Sequence, residues 1–261
     1  MQANYTIAEK NLERQYLLAE NLEPFTVKAF QKIGPLKEGA KILDIACGLG
    51  ETTRLIASSF AGSHITGIDR DNSLIEAAKN IRDAAGGNIN FVTGDAEHLP
   101  FADNSFDFVF SRYLLMHVPD PIAILKEMKR VCRPGGIVFA QEPDINSGNT
   151  YPESWAYDKL RAYFLALFVD GLVGRKLPGY FSLMEMNNLQ SQADARFELY
   201  KNNRLRRLYT LTGEAIEAAL LAKQLTTKEE YDDWIMELNR CENDETAVYL
   251  SHPVIAVWGT K

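Results

Sequence analysis

A chain of 261 residues buries roughly 70–75% of its unfolded surface, so neither disulfides nor a structural metal are needed to hold its core. Its 46% hydrophobic and 24% charged residues exclude disordered and fibrous classes. A net charge of −7 argues against a general binder of phosphate backbones, which presents a basic face. Cys47, Cys132 and Cys241 form no CxxC pair, and His64, His98, His117 and His252 form no HExxH, so no zinc or disulfide pattern is written.

Residues 6–32 carry apolar positions at helical spacing, broken at Pro24, which predicts two helices. Residues 41–46 (KILDIA) form a short apolar run ending in a glycine turn, the pattern of a buried parallel strand. A helix over 51–60 and a strand over 64–69 (HITGID) follow, and Ser73 with Glu76 predicts a capping box opening a helix to about Ala84. Residues 88–93 (NINFVT) and 106–111 (FDFVFS) are further strands. Asp120 before Pro121 starts a helix that ends at Arg133-Pro134-Gly135-Gly136, and 137–141 is the fifth strand.

Beyond Asp144 the alternation stops. Residues 152–190 read as helical and aromatic-rich and 196–200 as a strand. Helices follow at about 213–224 and from Thr226 with Glu229, and 254–258 (VIAVW) is the last strand. The alternation over 41–142 predicts a parallel sheet with helices on both faces. The expected organisation is a single domain over 1–261. It has an N-terminal helical cap over 1–36, a core over 37–145, a helical substrate cap over 146–195, and a stretch over 196–261 completing the sheet. The opening MQANYTIAEKNLER is polar and charged, unlike a signal sequence. The longest apolar run, 162–169, is far short of the about 20 residues of a membrane span. A cytoplasmic protein without a membrane partner is expected.

The turn Asp44-Ile-Ala-Cys47-Gly48-Leu49-Gly50 stands at the carboxyl end of the first strand, where open α/β sheets bind ligands. Thr53 occupies the position where a dinucleotide fingerprint has its third glycine, and no P-loop sequence exists. Asp44 would repel a pyrophosphate and attract a cation. Asp69 ends the second strand, where a carboxylate accepts ribose hydroxyls, and Asp95 ends the third, placed for an exocyclic amine. Three acids at successive strand ends describe a site for a positively charged nucleoside without phosphate, a description S-adenosylmethionine fits.

DIACGLG, GID, GDAEHLPFADNSFDFVFSRYLLMHVPDP and RVCRPGG together resemble the successive motifs of class I S-adenosylmethionine-dependent methyltransferases, over about residues 40–145. Tyr5-Thr-Ile, Leu12-Glu13-Arg14 and Gly174-Arg175-Lys176-Leu177-Pro178 are similar to a bacterial small-molecule branch, of methyltransferase type 11/25. The resemblance implies a Rossmann-like doubly wound α/β fold with helical cap insertions. Its seven-stranded sheet would be mostly parallel, with the last strand antiparallel.

Carried over by residue, the resemblance implies that Asp44 holds the methionine ammonium while Gly48 and Gly50 make room for the methionyl part. Asp69 would take the ribose hydroxyls, and Asp95 with the backbone of Ala96 would read adenine. Ser111 and Arg112 would flank the methionyl chain and Arg14 would meet the carboxylate. Tyr5, Ala46, Cys47, Arg70 and Gly94 complete the expected cofactor shell. Cys47 stands where glycine is common, and Met186-Asn-Asn-Leu replaces the usual Ala-Gly-Phe.

Methyl transfer is an in-line displacement that needs alignment and exclusion of water, and a base only for a hydroxyl or acidic carbon. His117 is the candidate catalytic base, and a packing role remains open for it. Tyr113, Glu142 and Asp144 are candidate substrate contacts. Tyr157, Tyr163 and Phe168 are candidates too, as a lid over the acceptor; a plain core helix is the alternative. The expected function is methylation of a small, partly hydrophobic molecule at O, N or C, with no metal and no nucleic acid. The alternatives are a cofactor-binding fold that does not transfer methyl, a nicotinamide-dependent oxidoreductase, and an RNA methyltransferase suggested by the basic run from Lys201 to Arg207.

Overall fold

A computed structural model describes residues 7–81, 88–199 and 203–261. The elements run α1 (Ile7–Ile33), β1 (Lys41–Ile45), α2 (Glu51–Ser59), β2 (His64–Asp69), α3 (Asn72–Asn80), β3 (Asn88–Thr93) and β4 (Phe106–Arg112). A single 3₁₀ turn (Leu115–His117) precedes α4 (Pro121–Val131), β5 (Cys132–Pro143), β6 (Asn149–Tyr151), α5 (Trp155–Leu167), α6 (Val173–Leu183) and β7 (Asn187–Asp194). Then come β8 (Phe197–Glu198), α7 (Arg204–Ala215), α8 (Glu217–Ala222), α9 (Lys228–Glu242), β9 (Val248–Leu250) and β10 (Val254–Thr260). They divide into two compact units, a sheet unit over 23–143, 172–193 and 254–261 and a helical unit over 1–22, 144–171 and 194–253.

In the sheet unit, seven strands lie in the order β3-β2-β1-β4-β5-β10-β7. β1 pairs in parallel with β2 and β4, β4 with β5, and β10 runs antiparallel to β5, with Val254 opposite Pro143 and Thr260 opposite Ile137. β1 is buried at four successive positions, as a central parallel strand requires. Under the sheet, Phe30, Phe60, Phe108, Phe110, Phe139 and Trp258 pack into one aromatic core, with Phe110 stacked on Phe139 at 4.9 Å. Asp107 accepts from Lys41 N at 2.8 Å and pairs with Lys37 at 2.7 Å and with Arg133; these bonds hold its carboxyl below the usual range.

The helical unit joins α5, α7, α8, α9 and a small antiparallel sheet of order β6-β9-β8. Trp234 on α9 is fully buried and donates to Ala156 O at 2.9 Å, tying α9 to α5. Arg206 and Glu198 are paired at 3.1 Å with side chains 1% and 0% exposed.

Several local expectations change. One helix, α1, spans the region expected as two, with Pro24 inside it. Buried Leu17 and Leu22 before the proline and Ala29 and Phe30 after it supply packing that outweighs one missing hydrogen bond. Asp71, rather than Ser73, caps α3: its Oδ1 accepts from Ser73 N at 2.8 Å and Ser73 Oγ at 2.6 Å. The helix expected to reach Ala84 ends at Asn80, and residues 82–87 lie outside the described residues. The capping box of α9 is Thr227 with Glu230, one residue later than expected.

The stretch over 196–261 does not complete the sheet by itself. β10 enters it, but the seventh strand is β7, out of the expected helical insertion, and β8 belongs to the small sheet. β7 is a polar edge strand, exposed at its first five positions, so it shows no apolar alternation. In the basic run, Arg204, Arg206 and Arg207 pair with Glu20, Glu198 and Glu13; Lys201 and Asn202 lie outside the described residues.

Candidate functional site

The parallel strands of the sheet unit end at one edge, and there the chain breaks into turns. After β1 it passes through left-handed backbone at Ala46, Gly48 and Gly50, with φ of 59°, 54° and 82°. Gly50 opens α2, and a Cβ on it would lie 2.5 Å from the Phe91 ring, so only glycine fits. A Cβ on Gly48 would meet nothing within 4 Å, leaving open space above the turn. Cys47 is buried beneath, its N–H donating to Ile68 O at 3.1 Å and its thiol pushed up by burial and by Asp44.

Asp44 is 2% exposed and accepts from Thr53 Oγ1 at 2.6 Å. Burial pushes its carboxyl up to about 7, against the pull of Thr53 and of the Arg112 charge. A cation brought beside it would draw it into the ionised form. The Asp69 carboxylate, half-buried at the end of β2, accepts from Gly48 N at 2.9 Å and from Asp71 N at 3.0 Å. It locks the glycine turn to its neighbour strand and keeps lone pairs for a ligand hydroxyl. Gly94 N donates to Asp69 O at 3.0 Å, and a Cβ on Gly94 would strike Ile68 at 2.7 Å. Asp95 is exposed, its Oδ1 accepting from Glu97 N at 3.0 Å, with Ala96 half-buried beside it.

Ser111 at the end of β4 is fully buried, and its Oγ has no partner among the described residues. Arg112 donates to Thr26 Oγ1 at 3.3 Å, and Thr26 in turn to Gln141 Oε1 at 2.7 Å. Burial lowers the guanidinium's affinity for its proton and Asp44 opposes that. Tyr113 holds left-handed backbone at φ 57°, and burial and Glu142 push its phenol up. Glu142 Oε1 accepts from Leu114 N at 2.9 Å and Leu115 N at 2.7 Å, while buried Oε2 has no partner among the described residues. Burial pushes this carboxyl up to about 8.

His117 ends the 3₁₀ turn and is exposed. Loss of solvent on its inner side and the charge of exposed Arg70 keep its imidazole below the ordinary value, so it is neutral at pH 7.

The sheet unit thus gathers Asp44, Ala46, Cys47, Gly48, Gly50, Asp69, Arg70, Gly94, Asp95, Ala96, Ser111, Arg112, Tyr113, His117 and Glu142 on its loops and strand ends. Arg14, Asp144, Tyr157, Tyr163 and Phe168 belong to the helical unit, and Tyr5 lies outside the described residues. Arg14 Nε is buried without a partner among the described residues. Tyr163 packs on Trp234 at 4.8 Å and Phe168 on Phe164 at 5.5 Å, inside the helical unit's own aromatic packing. Sequence reasoning missed Thr26, Thr53, Gln141, Gly67 and Phe91. Gly67, in mid-strand, was the readable sign: a Cβ there would lie 2.8 Å from Phe91 and 3.0 Å from Cys47 Sγ.

Residues 43–140 match the family model described as "Methyltransferase domain". The chain is 36% identical over 139 residues to a demethylmenaquinone methyltransferase of Staphylococcus aureus (strain MRSA252), a match covering 51% of this chain and 57% of that relative. The chain therefore spans little more than half the length of the curated relatives it matches. Among solved structures, the YcgJ protein of Bacillus subtilis is similar with a TM-score of 0.61 at 19% identity, covering 92% of this chain and 97% of that one. Phosphoethanolamine N-methyltransferase 2 of Haemonchus contortus, solved with S-adenosyl-L-methionine, also reaches 0.61 at 19% identity, over 100% of this chain and 58% of that one. At such identity the shared property is the fold.

Proposed function

We propose that this chain is a class I S-adenosylmethionine-dependent methyltransferase and that it transfers a methyl group from S-adenosylmethionine to a small, partly hydrophobic acceptor; the match of residues 43–140 to a methyltransferase-domain model supports the reading. The observation that carries the reading is the row of carboxylates ending β1, β2 and β3 beside the open space over Gly48. These acceptors fit the cofactor's chemistry. Asp44 would meet the ammonium, Asp69 the ribose hydroxyls, and Asp95 with the Ala96 amide the adenine; the unsatisfied Ser111 Oγ can bond the methionyl part. When bound, the cofactor supplies a methyl group already activated by a sulfonium.

The chain's own residues then bind, align and shield. Glu142, through its two backbone bonds, holds the turn bearing Tyr113 and Leu114. His117, neutral at pH 7, can accept an acceptor's proton at an imidazole nitrogen. The similarity to a demethylmenaquinone methyltransferase supports an acceptor with apolar character. No helix among the described residues is long and apolar enough to cross a membrane.

Calorimetric titration with S-adenosylmethionine, S-adenosylhomocysteine and NADH tests the cofactor class. Binding of the two sulfur nucleosides and not of NADH is expected, and silence from both would refute the reading. Formation of S-adenosylhomocysteine in the presence of candidate acceptors then tests transfer itself.

A further inference from the structure

A charge withdrawn from water is normally met at contact by an opposite charge. Arg112, ending β4, departs from that rule. Its half-buried guanidinium donates to a neutral hydroxyl, Thr26 Oγ1, at 3.3 Å. Asp44 is the strongest charge acting on it, yet no ion pair closes onto Arg112 among the described residues. Asp44 is held from its own side, accepting from Thr53 Oγ1 at 2.6 Å. Thr53 lies on α2 and Thr26 on α1, so two helices fix the opposite charges and keep them apart. Thr26 is itself anchored. It is fully buried, and its hydroxyl proton goes to Gln141 Oε1 at 2.7 Å, which leaves its oxygen as an acceptor for Arg112. Gln141 is 1% exposed and stands beside Arg112 in the β4–β5 register.

Opposite charges held apart in this way form a receptor for a zwitterion. A bare anion approaching Arg112 meets the fields of Asp44, Glu23 and Glu51, all of which act on the same guanidinium. A bare cation approaching Asp44 meets Arg112. An amino-acid headgroup carries ammonium and carboxylate on one carbon and satisfies both at once. The guanidinium keeps further N–H donors after its bond to Thr26, and their fork matches a carboxylate.

We propose, resting on the S-adenosylmethionine reading of this sheet edge, that Arg112 takes the cofactor's α-carboxylate while Asp44 takes its ammonium, and that Thr26 and Gln141 are positioning residues that aim the guanidinium. The family resemblance gives that carboxylate to Arg14, a residue of the helical unit; Arg112, Thr26, Gln141 and Asp44 all belong to the sheet unit.

Calorimetric titration of the full chain with three nucleosides tests it: S-adenosylmethionine, its decarboxylated form, which keeps the ammonium, and 5′-methylthioadenosine, which lacks both groups. S-adenosylmethionine should bind at least about tenfold tighter than the decarboxylated form, the effect of a hydrogen bond between charged groups. The sign is demanding, because the surrounding acids alone would favour the decarboxylated form with its extra net positive charge. Arg112→Met should remove the preference and leave 5′-methylthioadenosine unchanged. Thr26→Val should cut the preference about three- to tenfold, and Thr26→Ser should restore it. A merely structural role would weaken all three nucleosides alike. The comparison on the unmutated chain stands even if a variant fails to fold. Silence from all three there overturns the cofactor reading and this assignment with it. Binding without a preference for the carboxylate, or a preference undiminished in Arg112→Met, overturns the Arg112 assignment alone, and a preference undiminished in Thr26→Val overturns the positioning role.

Discussion

The turns at the carboxyl edge of the sheet and the interior of the helical unit solve the same problem, buried polar groups, by opposite means. At the sheet edge the carboxylates are held mainly by backbone amides of adjacent turns: Asp69 by Gly48 and Asp71, Glu142 by Leu114 and Leu115. In the helical unit charged groups meet side chains from other elements, such as buried Arg206 with Glu198 and half-buried Arg207 with Glu13. Turn-held groups depend on backbone conformation, whereas side chain-held groups depend on the presence of one particular partner. The first region is therefore most vulnerable to changes in turn geometry, and the second to removal of one member of a pair.

The largest effect that would test this contrast is at the buried ion pair. Arg206→Met should lower stability in urea unfolding by about 3–5 kcal/mol, because it leaves the buried Glu198 carboxylate without its countercharge, held only by the amides of Leu205 and residue 206. Adding Glu198→Leu should recover much of the loss; a neutral Arg206→Met would break the comparison. Next is the glycine turn. Gly50→Ala should cost about 2–4 kcal/mol, from left-handed strain plus the collision with Phe91. Gly48→Ala should cost only about 1–2 kcal/mol of stability, from strain alone. Its methyl group projects into the open space, so titration with S-adenosylhomocysteine should show a larger loss of affinity than of stability.

Asp69→Ala should weaken S-adenosylmethionine binding by about 1.5–3 kcal/mol for each hydrogen bond to the carboxylate that is lost. Unchanged affinity would remove Asp69 from the site whatever the family. A finer effect concerns protons. With its carboxyl near 7, Asp44 is partly protonated at pH 6.5 and ionises when a cation arrives beside it. Calorimetry in buffers of different ionisation enthalpy should then show proton release on binding at pH 6.5, absent at pH 8.5 and absent in Asp44→Asn. A pH-dependent effect on stability is expected at Glu142. A folded-state carboxyl raised to about 8 binds its proton more tightly folded than unfolded, so its contribution to stability falls as pH rises from the ordinary glutamate range through 8. Glu142→Gln keeps an oxygen for the two amides and never ionises, so against the unmutated chain it should be nearly neutral at pH 4 and gain progressively from there to about pH 8.

The same contrast governs what could be read before the structure. The strand ends of the sheet edge were legible because each is a local pattern, an apolar run closed by an acid or a glycine, and the antiparallel β10 followed from the family resemblance. The supports of that edge were not legible. Thr53 under Asp44 and the Arg112–Thr26–Gln141 chain join separate elements, and no spacing in the sequence records them. β7 was hidden for another reason: an exposed polar edge strand carries no apolar alternation to read. In the helical unit almost nothing about the packing of Tyr157, Tyr209, Tyr249 and His252 was local, since the four come from three distant stretches. Tyr163 and Phe168 share a helical stretch with Tyr157, but their contacts lie elsewhere in the packing.

The path of the chain between its two units has a consequence for synthesis. The chain passes from one unit to the other after Leu22, Pro143, Gly171, Ala193 and Pro253, so a single cut after any residue from 23 to 252 divides both. A stop codon or a fusion junction in that range leaves neither unit whole. On the ribosome, β7 emerges long before β10, its one neighbour in the sheet, and must wait unpaired until residues 254–260 have been made. Its exposed positions are mostly Asn, Gln and Ser, so the waiting edge offers little apolar surface for another nascent chain to cover.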